Sequence, residues 1–462
     1  YKRQCYTLRI AGFFMAHRMA HIITITCKQY LILITDFRRL CCALIMLLPG
    51  MSATFAGTQT ESPNLIDRRT QQAIDLMRSY AQRSGLTSEQ PGKRYLWTDA
   101  FAVCNYLGLA RTTTDTAYTE FALKLVDQVH HGLGRHRKDD PREGWISGLG
   151  EHEGELHPTV GGLRIGKTLP EREPDAVFDA RLEWERDGQY FHYLTKWMHA
   201  LDQVTRATGQ ARYSLWAREL AVTAFAAFSY APNADQPLRR MVWKKSIDLT
   251  RTLVPSMGKH DPLDGYITSL QLASTVASVP PSDTGSMLEH EIGGFAAMVT
   301  NGEWTTDDAL GIGGLLIDAY RLEQLRKQGV RPPPQLLGNL LDAALTGLRY
   351  YSGSGELQQP PQYRLAFREL GLAIGLHALV RLQQSFENSE HQGSIDPRLQ
   401  ATVSALMQYT HLREQIIDFW LAPRHQRIDT WIEHRDINEV MLATSLAPDG
   451  FLALPSPSSV KP

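Results

Sequence analysis

The sequence predicts an all-α protein, an (α/α)6 barrel of six helical hairpins with a long polar loop between the second outer and inner helices. Three observations carry this expectation. From Asn64 onward apolar residues recur with a helical period, and β-branched alternation is nearly absent. Gly, Pro, Asp and Thr punctuate this body into about twelve helical segments. These segments alternate in character: first members carry exposed charge, as in Arg68-Arg69-Thr70-Gln71-Gln72, whereas second members are poorer in charge and richer in small residues.

Taken in order, the first hairpin pairs 64–83 with 98–109, whose inner helix opens at Thr98-Asp99. The second pairs 114–133 with 187–205 across a polar, Gly- and Pro-rich insertion, 134–184, of the length that lids and binding loops have. The third pairs 211–230 with 261–273, where Pro262 sits early in the first turn and suits a helix start. The fourth pairs 284–300 with 306–324, the fifth 334–351 with 363–383, and the sixth 396–420 with 436–445. Gly311-Ile312-Gly313-Gly314 and Gly371-Leu372-Ala373-Ile374-Gly375 make poor isolated helices, since each Gly costs about 1 kcal/mol against Ala. They make sense where helices approach closely inside a ring, and the irregular hairpin spacing favours closure over an open solenoid.

Six hairpins over 64–447, with Trp97-Thr98-Asp99 opening one inner helix and Trp184-Glu185-Arg186-Asp187-Gly188-Gln189-Tyr190 opening another, resemble the six-hairpin glycosidase-like superfamily. The resemblance implies carbohydrate-active chemistry with catalytic groups at one mouth of the barrel. That superfamily also holds epimerases, lyases and non-catalytic members, and fold alone does not choose among them. The leading expectation is a glycoside hydrolase using paired carboxylates. The alternatives are a sugar epimerase or isomerase using histidines such as His199 and His260, and a non-catalytic glycan-binding scaffold.

Inner-helix N-termini collect at the mouth, so the candidate catalytic residues are Asp187, Asp99, Asp264, His260 and Asp261. Two carboxylates suit glycoside cleavage because one protonates the leaving oxygen while the other activates water or attacks carbon. Each Asp also fits as a helix N-cap. Asp187, on the first turn of its helix beside Gly188, leads the list, and the density of His260, Asp261 and Asp264 exceeds what capping needs. Trp97, Trp145, Trp184, Tyr190 and Trp304 offer rings for sugar stacking, while Gln189, His192, Lys196, His199 and Arg364 offer polar contacts. His192, Lys196 and His199 lie on one helix face, a solvated stripe or a cavity lining.

Other function classes fall away. Lys+Arg 48 against Asp+Glu 49 gives a net charge of −1, which supplies no field for nucleic acid or anionic lipid. No run approaches the ~18 apolar residues of a membrane span. Four of the 5 cysteines precede position 43, leaving Cys104 alone in the body, so no disulfide framework or cysteine zinc site forms there. No metal and no cofactor are expected. Gly161-Gly162-Leu163-Arg164-Ile165-Gly166-Lys167-Thr168 matches the phosphate-loop pattern, but Pro158, Pro170 and Pro174 forbid the strand and helix that pattern needs. The expected partner is a small-molecule or oligosaccharide substrate, and the oligomeric state is left open.

The expected organisation is a leader at 1–60, disordered or not translated, the barrel at 61–450 and a flexible tail at 451–462. Arg38-Arg39, the apolar run 40–48 and Thr54-Phe55-Ala56 imitate a secretory signal. Read as a leader without that role, it leaves the protein cytoplasmic; read as a true signal over 38–56, it places the protein in the periplasm or outside the cell.

Overall fold

The computed structural model describes residues 63–88, 92–232, 239–278, 287–300, 302–388 and 396–456. The expected leader, the last part of the expected tail and the expected start of the fourth outer helix at Thr284 lie outside these residues. Helices α1 (Pro63–Arg83) and α2 (Leu96–Thr113) form the first hairpin. The second joins α3 (Ala117–Leu133) to α6 (Phe191–Thr208) through a long loop carrying α4 (Glu151–Leu156) and α5 (Ala180–Glu185). The third is α7 (Ala211–Phe228) with α8 (Asp261–Ser278), the fourth α9 (Glu289–Val299) with α10 (Ala309–Lys327), and the fifth α11 (Leu336–Gly353) with α12 (Ala366–Glu387). In the sixth, the outer member is split into α13 (Pro397–Met407) and α14 (His411–Leu421), followed by α15 (Asp429–Ile432), the inner α16 (Arg435–Leu446) and α17 (Asp449–Leu452). The single outer helix expected over 396–420 breaks at 408–410, where Thr410 Oγ1 turns back to donate to the Met407 carbonyl.

The inner ring closes. Helix α2 packs on α6, α6 on α8, α8 on α10, α10 on α12, α12 on α16, and α16 back on α2, while α1, α3, α7, α9, α11 and α14 form the outer layer. This is the (α/α)6 barrel. Closure explains the composition of the inner helices: α12 buries Leu370, Gly371, Leu372, Ala373, Ile374, Gly375 and Leu376 in succession, because every side faces protein. The glycines set the spacing. A Cβ on Gly313 would lie 2.2 Å from the Gly371 carbonyl oxygen, and one on Gly375 2.5 Å from that of Gly313, so α10 and α12 cross backbone to backbone.

One end of the barrel is filled by the chain's own C-terminal segment, which corrects the expectation of a flexible tail from residue 451. Phe451, Leu452 and Leu454 are buried, and Phe451 stacks on Phe101 with ring centroids 4.3 Å apart. The polar face of α6 and α10 caps that segment's backbone. Gln203 Nε2 donates to the Ala453 carbonyl (2.7 Å), Arg206 to that of Pro455 (2.9 Å) and Gln324 to that of Leu452 (3.0 Å). Apolar side chains in a sequence that otherwise reads as Pro- and Ser-rich linker thus belong to the core.

Two small antiparallel sheets, invisible in the sequence because their strands are two or three residues long, sit between hairpins. Strand β1 (Gln189–Tyr190) pairs with β4 (Lys244–Lys245), which pairs with β5 (Thr252–Val254); β2 (Ser229–Tyr230) pairs with β3 (Arg240–Met241). Since β1 runs directly into α6, the first sheet fixes the opposite end of the barrel, where the inner helices begin. Among the described residues no helix is long and apolar enough to cross a membrane.

Candidate active site

The first turn of α8 reads Asp261-Pro262-Leu263-Asp264, and its two carboxylates, three residues apart, share one face of the helix. Lys196 of α6 places its Nζ 2.6 and 2.8 Å from the Asp264 carboxylate, and Thr195 Oγ1 donates to the same group at 2.8 Å. From α10, Arg321 lies 3.8 Å from Asp264 and 3.1 Å from Asp318. Asp261 has no such support. Its Oδ1 is 4.0 Å from His192 Nδ1, and its Oδ2 is buried without a hydrogen-bond partner.

Charge counting assigns the protons. Three buried carboxylates, Asp261, Asp264 and Asp318, face two cations, Lys196 and Arg321, so one carboxyl must stay neutral in a site where an unpaired charge is costly. Burial, then the Asp264 charge, pushes Asp261 up to about 7, and the same two causes push Asp318 up to about 6. For Asp264 burial also pushes upward, but the Lys196 and Arg321 charges outweigh it and hold this carboxyl below its ordinary range. Two neighbouring carboxylates with pKa values driven apart are the arrangement from which acid and base roles arise.

A wall of rings borders the pair. Trp97 and Tyr193 have centroids 5.4 Å apart, Tyr193 and His192 4.9 Å, His192 and Tyr190 5.3 Å, and the half-exposed Trp184 meets Trp243 at 4.9 Å. The Trp97 indole N–H is buried with no partner, and Lys196 Nζ lies 6.0 Å from that ring. Burial brings His192 down to about 3, so it is neutral. Trp243 Nε1 donates to His192 Nδ1 at 3.2 Å, which leaves the ring's proton on Nε2. His260 is also held neutral by burial and has the same tautomer: its Nε2–H donates to the Trp304 carbonyl at 2.8 Å, leaving Nδ1 basic. Asp261, Asp264, His260, His192, Lys196, Trp97, Tyr190, Trp184 and Trp304 lie around the inner-helix N-termini.

The remaining expected site residues serve elsewhere. Asp187 lies before α6 in the loop, not on its first turn, and is fully buried. Its carboxylate accepts from Arg164 (2.6 Å), Arg137 (3.3 Å) and the backbone N–H groups of Gly166 (3.0 Å) and Lys167 (3.2 Å). The amides that a phosphate loop would offer to a nucleotide are thus taken by an internal carboxylate. Gly188 (φ +143°) is needed because a Cβ would lie 2.6 Å from the Lys245 carbonyl, an approach of the sheet rather than of a ligand. Gln189 ties the loop to the sheet by donating to the Gly161 (3.0 Å) and Ile247 (2.7 Å) carbonyls.

Asp99 is buried under Tyr80, Arg94 and the Tyr95 N–H, which it accepts at 3.0 Å at the start of α2. Trp145 is buried on the outer side, with Arg135 4.3 Å above its ring and Gly154 flat against it. His199 is held neutral, down to about 3, by burial and bonds the Phe451 carbonyl at 2.9 Å, deep in the barrel. Arg364 is a buried strut, bidentate to Glu369 (2.8 and 2.6 Å) and 3.7 Å above the Phe419 ring.

Trp243, Asp318, Arg321 and Thr195 were not among the expected site residues. Asp318 and Arg321 carried a usable signal, since charges inside a helix apolar on all sides need a buried purpose. Trp243 carried none, because only the sheet brings it to His192. Among the described residues no group of three or more His, Cys, Asp or Glu side chains is placed to hold a metal ion.

No family model and no curated protein matches the chain. Among solved structures it is similar to an inactive variant of an α-1,6-mannanase of Salegentibacter sp. HEL1_6 in complex with α-1,6-mannotriose, with 12% identity, a TM-score of 0.46, and 82% of this chain and 99% of that one covered. It is also similar to cellobiose 2-epimerase from Spirochaeta thermophila DSM 6192, with 11% identity, a TM-score of 0.45, and 83% and 98% covered. A sugar epimerase from a ruminal bacterium follows, with 8% identity, a TM-score of 0.41, and 75% and 86% covered.

Proposed function

We propose that the protein is a carbohydrate-active enzyme, a glycoside hydrolase in which Asp261 is the general acid and Asp264 the ionised carboxylate. The observation that carries this reading is the split pair on the first turn of α8: one carboxyl kept protonated near neutral pH, the other kept charged by Lys196, both beside aromatic faces suited to sugar rings. In the reaction Asp261 gives its proton to the glycosidic oxygen as the carbon–oxygen bond breaks. Asp264 takes the proton of the water that adds to the anomeric carbon, and exchange with solvent resets both groups. His192 Nε2–H and the Trp97 N–H donate to sugar hydroxyls. Asp187, with its carboxylate fully engaged, has no part in the chemistry.

One observation favours a second reading, sugar epimerisation: His260 presents a basic Nδ1 on a neutral ring near Asp264. A glycan panel run in deuterated water tests both. Hydrolysis, with no deuterium on carbon in recovered substrate, supports the hydrolase. Deuterium on a ring carbon without cleavage replaces it with the epimerase, and binding without turnover refutes both.

A further inference from the structure

Sharing no lining residue with the carboxylate pair, the segment 92–94 before α2, the end of α3 and the loop at 137–139 and 164–168 enclose a cleft of about 390 Å³. That volume lies within the range of small-ligand sites, roughly 300–1,000 Å³. Six of its lining residues are cationic, namely Lys93, Arg94, Arg137, Lys138, Arg164 and Lys167. The carboxylates at hand offset only part of that charge. Asp139, on the rim, is bidentate to Arg137 at 2.7 and 2.8 Å; Asp187 is shared by Arg137 and Arg164; Asp99 lies 3.5 Å from Arg94.

Three lysines are left without a carboxylate in contact. Lys93 Nζ donates to the Thr168 hydroxyl at 2.6 Å, a neutral partner. Lys138 is exposed and Lys167 half-buried, the latter with its Nζ 5.9 Å from the Tyr95 ring, and neither has a hydrogen bond or ion pair from its ammonium among the described residues. Arg94, only 4% exposed, has its Nε and Nη1 buried with no hydrogen bond, Nη1 lying 3.5 Å from the Asp99 carboxylate. Burial holds Lys167 below the ordinary lysine range, with the charges of Glu185 and Asp187 acting upward and that of Lys93 adding a smaller downward push.

We propose that this cleft binds a phosphate monoester, with the ammonium groups of Lys93, Lys138 and Lys167 around the phosphoryl oxygens. Three surplus positive charges match a group carrying about −1.5 to −2 at neutral pH better than a single carboxylate. Ammonium groups brought from three separate segments act as independent point charges, not as the planar fork that suits a carboxylate. The mode differs from a phosphate loop because the Gly166 and Lys167 amides already hold Asp187. Side chains alone recognise the anion, and binding is independent of turnover at the carboxylate pair.

Isothermal titration of the full chain at low salt tests this with inorganic phosphate, a hexose 6-phosphate, the uncharged hexose and a hexuronate. The expected result is saturable one-to-one binding of phosphate and of the hexose phosphate, and none of the hexose. Lys167→Met and the surface variant Lys138→Met, each checked for native circular dichroism, should each weaken it about tenfold or more, as loss of a charge-assisted contact does. Absence of saturable phosphate binding, or undiminished affinity in folded Lys138→Met and Lys167→Met, would overturn the site. A hexuronate bound as tightly as the hexose phosphate would overturn the assignment to phosphate.

Discussion

Replacing Asp261 with Asn keeps the side chain's size and its place at the start of α8 while removing the titrating proton. In the native protein burial and the neighbouring Asp264 charge push this carboxyl from 3.8 up to about 7. Below the lower value the group is neutral in both folded and unfolded chains, and its contribution to stability is fully present. Between the two values the folded protein keeps a proton that the unfolded chain has released, so stability falls as pH rises, and the loss is complete just above the folded value. At 1.36 kcal/mol per pKa unit the shift amounts to about 4 kcal/mol. With an unfolding entropy of about 2 cal/mol/K per residue over a barrel of this size, that is about 5 °C in Tm. Thermal melts followed by circular dichroism from pH 4 to pH 8 should therefore show the Asp261→Asn protein gaining about 5 °C on wild type across the range. Any fixed cost of the buried amide offsets the two curves equally at every pH. Parallel curves would refute the raised carboxyl and, with it, Asp261 as the acid.

Lys196→Met removes the nearest cation from Asp264, so burial prevails and that carboxyl rises; the acid limb of the kcat/KM–pH profile should move to higher pH and the neutral rate fall by about 10² or more. An unmoved acid limb would exclude Asp264 as the ionised partner. Asp187→Asn leaves Arg164 and Arg137 without their buried counter-charge, and should cost about 3–5 kcal/mol in chemical denaturation while the folded fraction keeps a near-native kcat. Gly313→Val drives a side chain into the Gly371 carbonyl and should destabilise by about 1–3 kcal/mol or more, read as a lower Tm. An unchanged Tm would mean that α10 and α12 do not cross as closely as described.

The barrel was legible because its cause is local. Gly311–Gly314 and Gly371–Gly375 could be stable only where backbones touch, and the charged first members could lie only outside, so both ring and layer order followed from composition. The cluster at His260, Asp261 and Asp264 was legible for a similar reason, since three polar groups in one helical turn exceed what a cap needs. Asp187 misled because Gly188 and the aromatic residues around it signal a close approach without saying of what. The approach is that of Lys245 from a strand more than fifty residues later, and the carboxylate answers Arg164. The stripe His192, Lys196 and His199 was readable as a stripe, but its division between mouth and plug depends on Phe451 entering from the far end of the sequence. Asp318 and Arg321 acquire meaning only across helices, where Arg321 meets Asp264.

Asp261 and Asp264 hold different protonation states at neutral pH in this reading of the site, and carboxyl-labelled aspartate NMR titration of the full chain measures the difference directly. One aspartate should titrate near pH 7 and disappear from the spectrum of Asp261→Asn. A second, absent from Asp264→Asn, should stay ionised to below the ordinary carboxyl range. Observing every aspartate titrate in the ordinary range, or the titration near pH 7 persisting in Asp261→Asn, would contradict this reading.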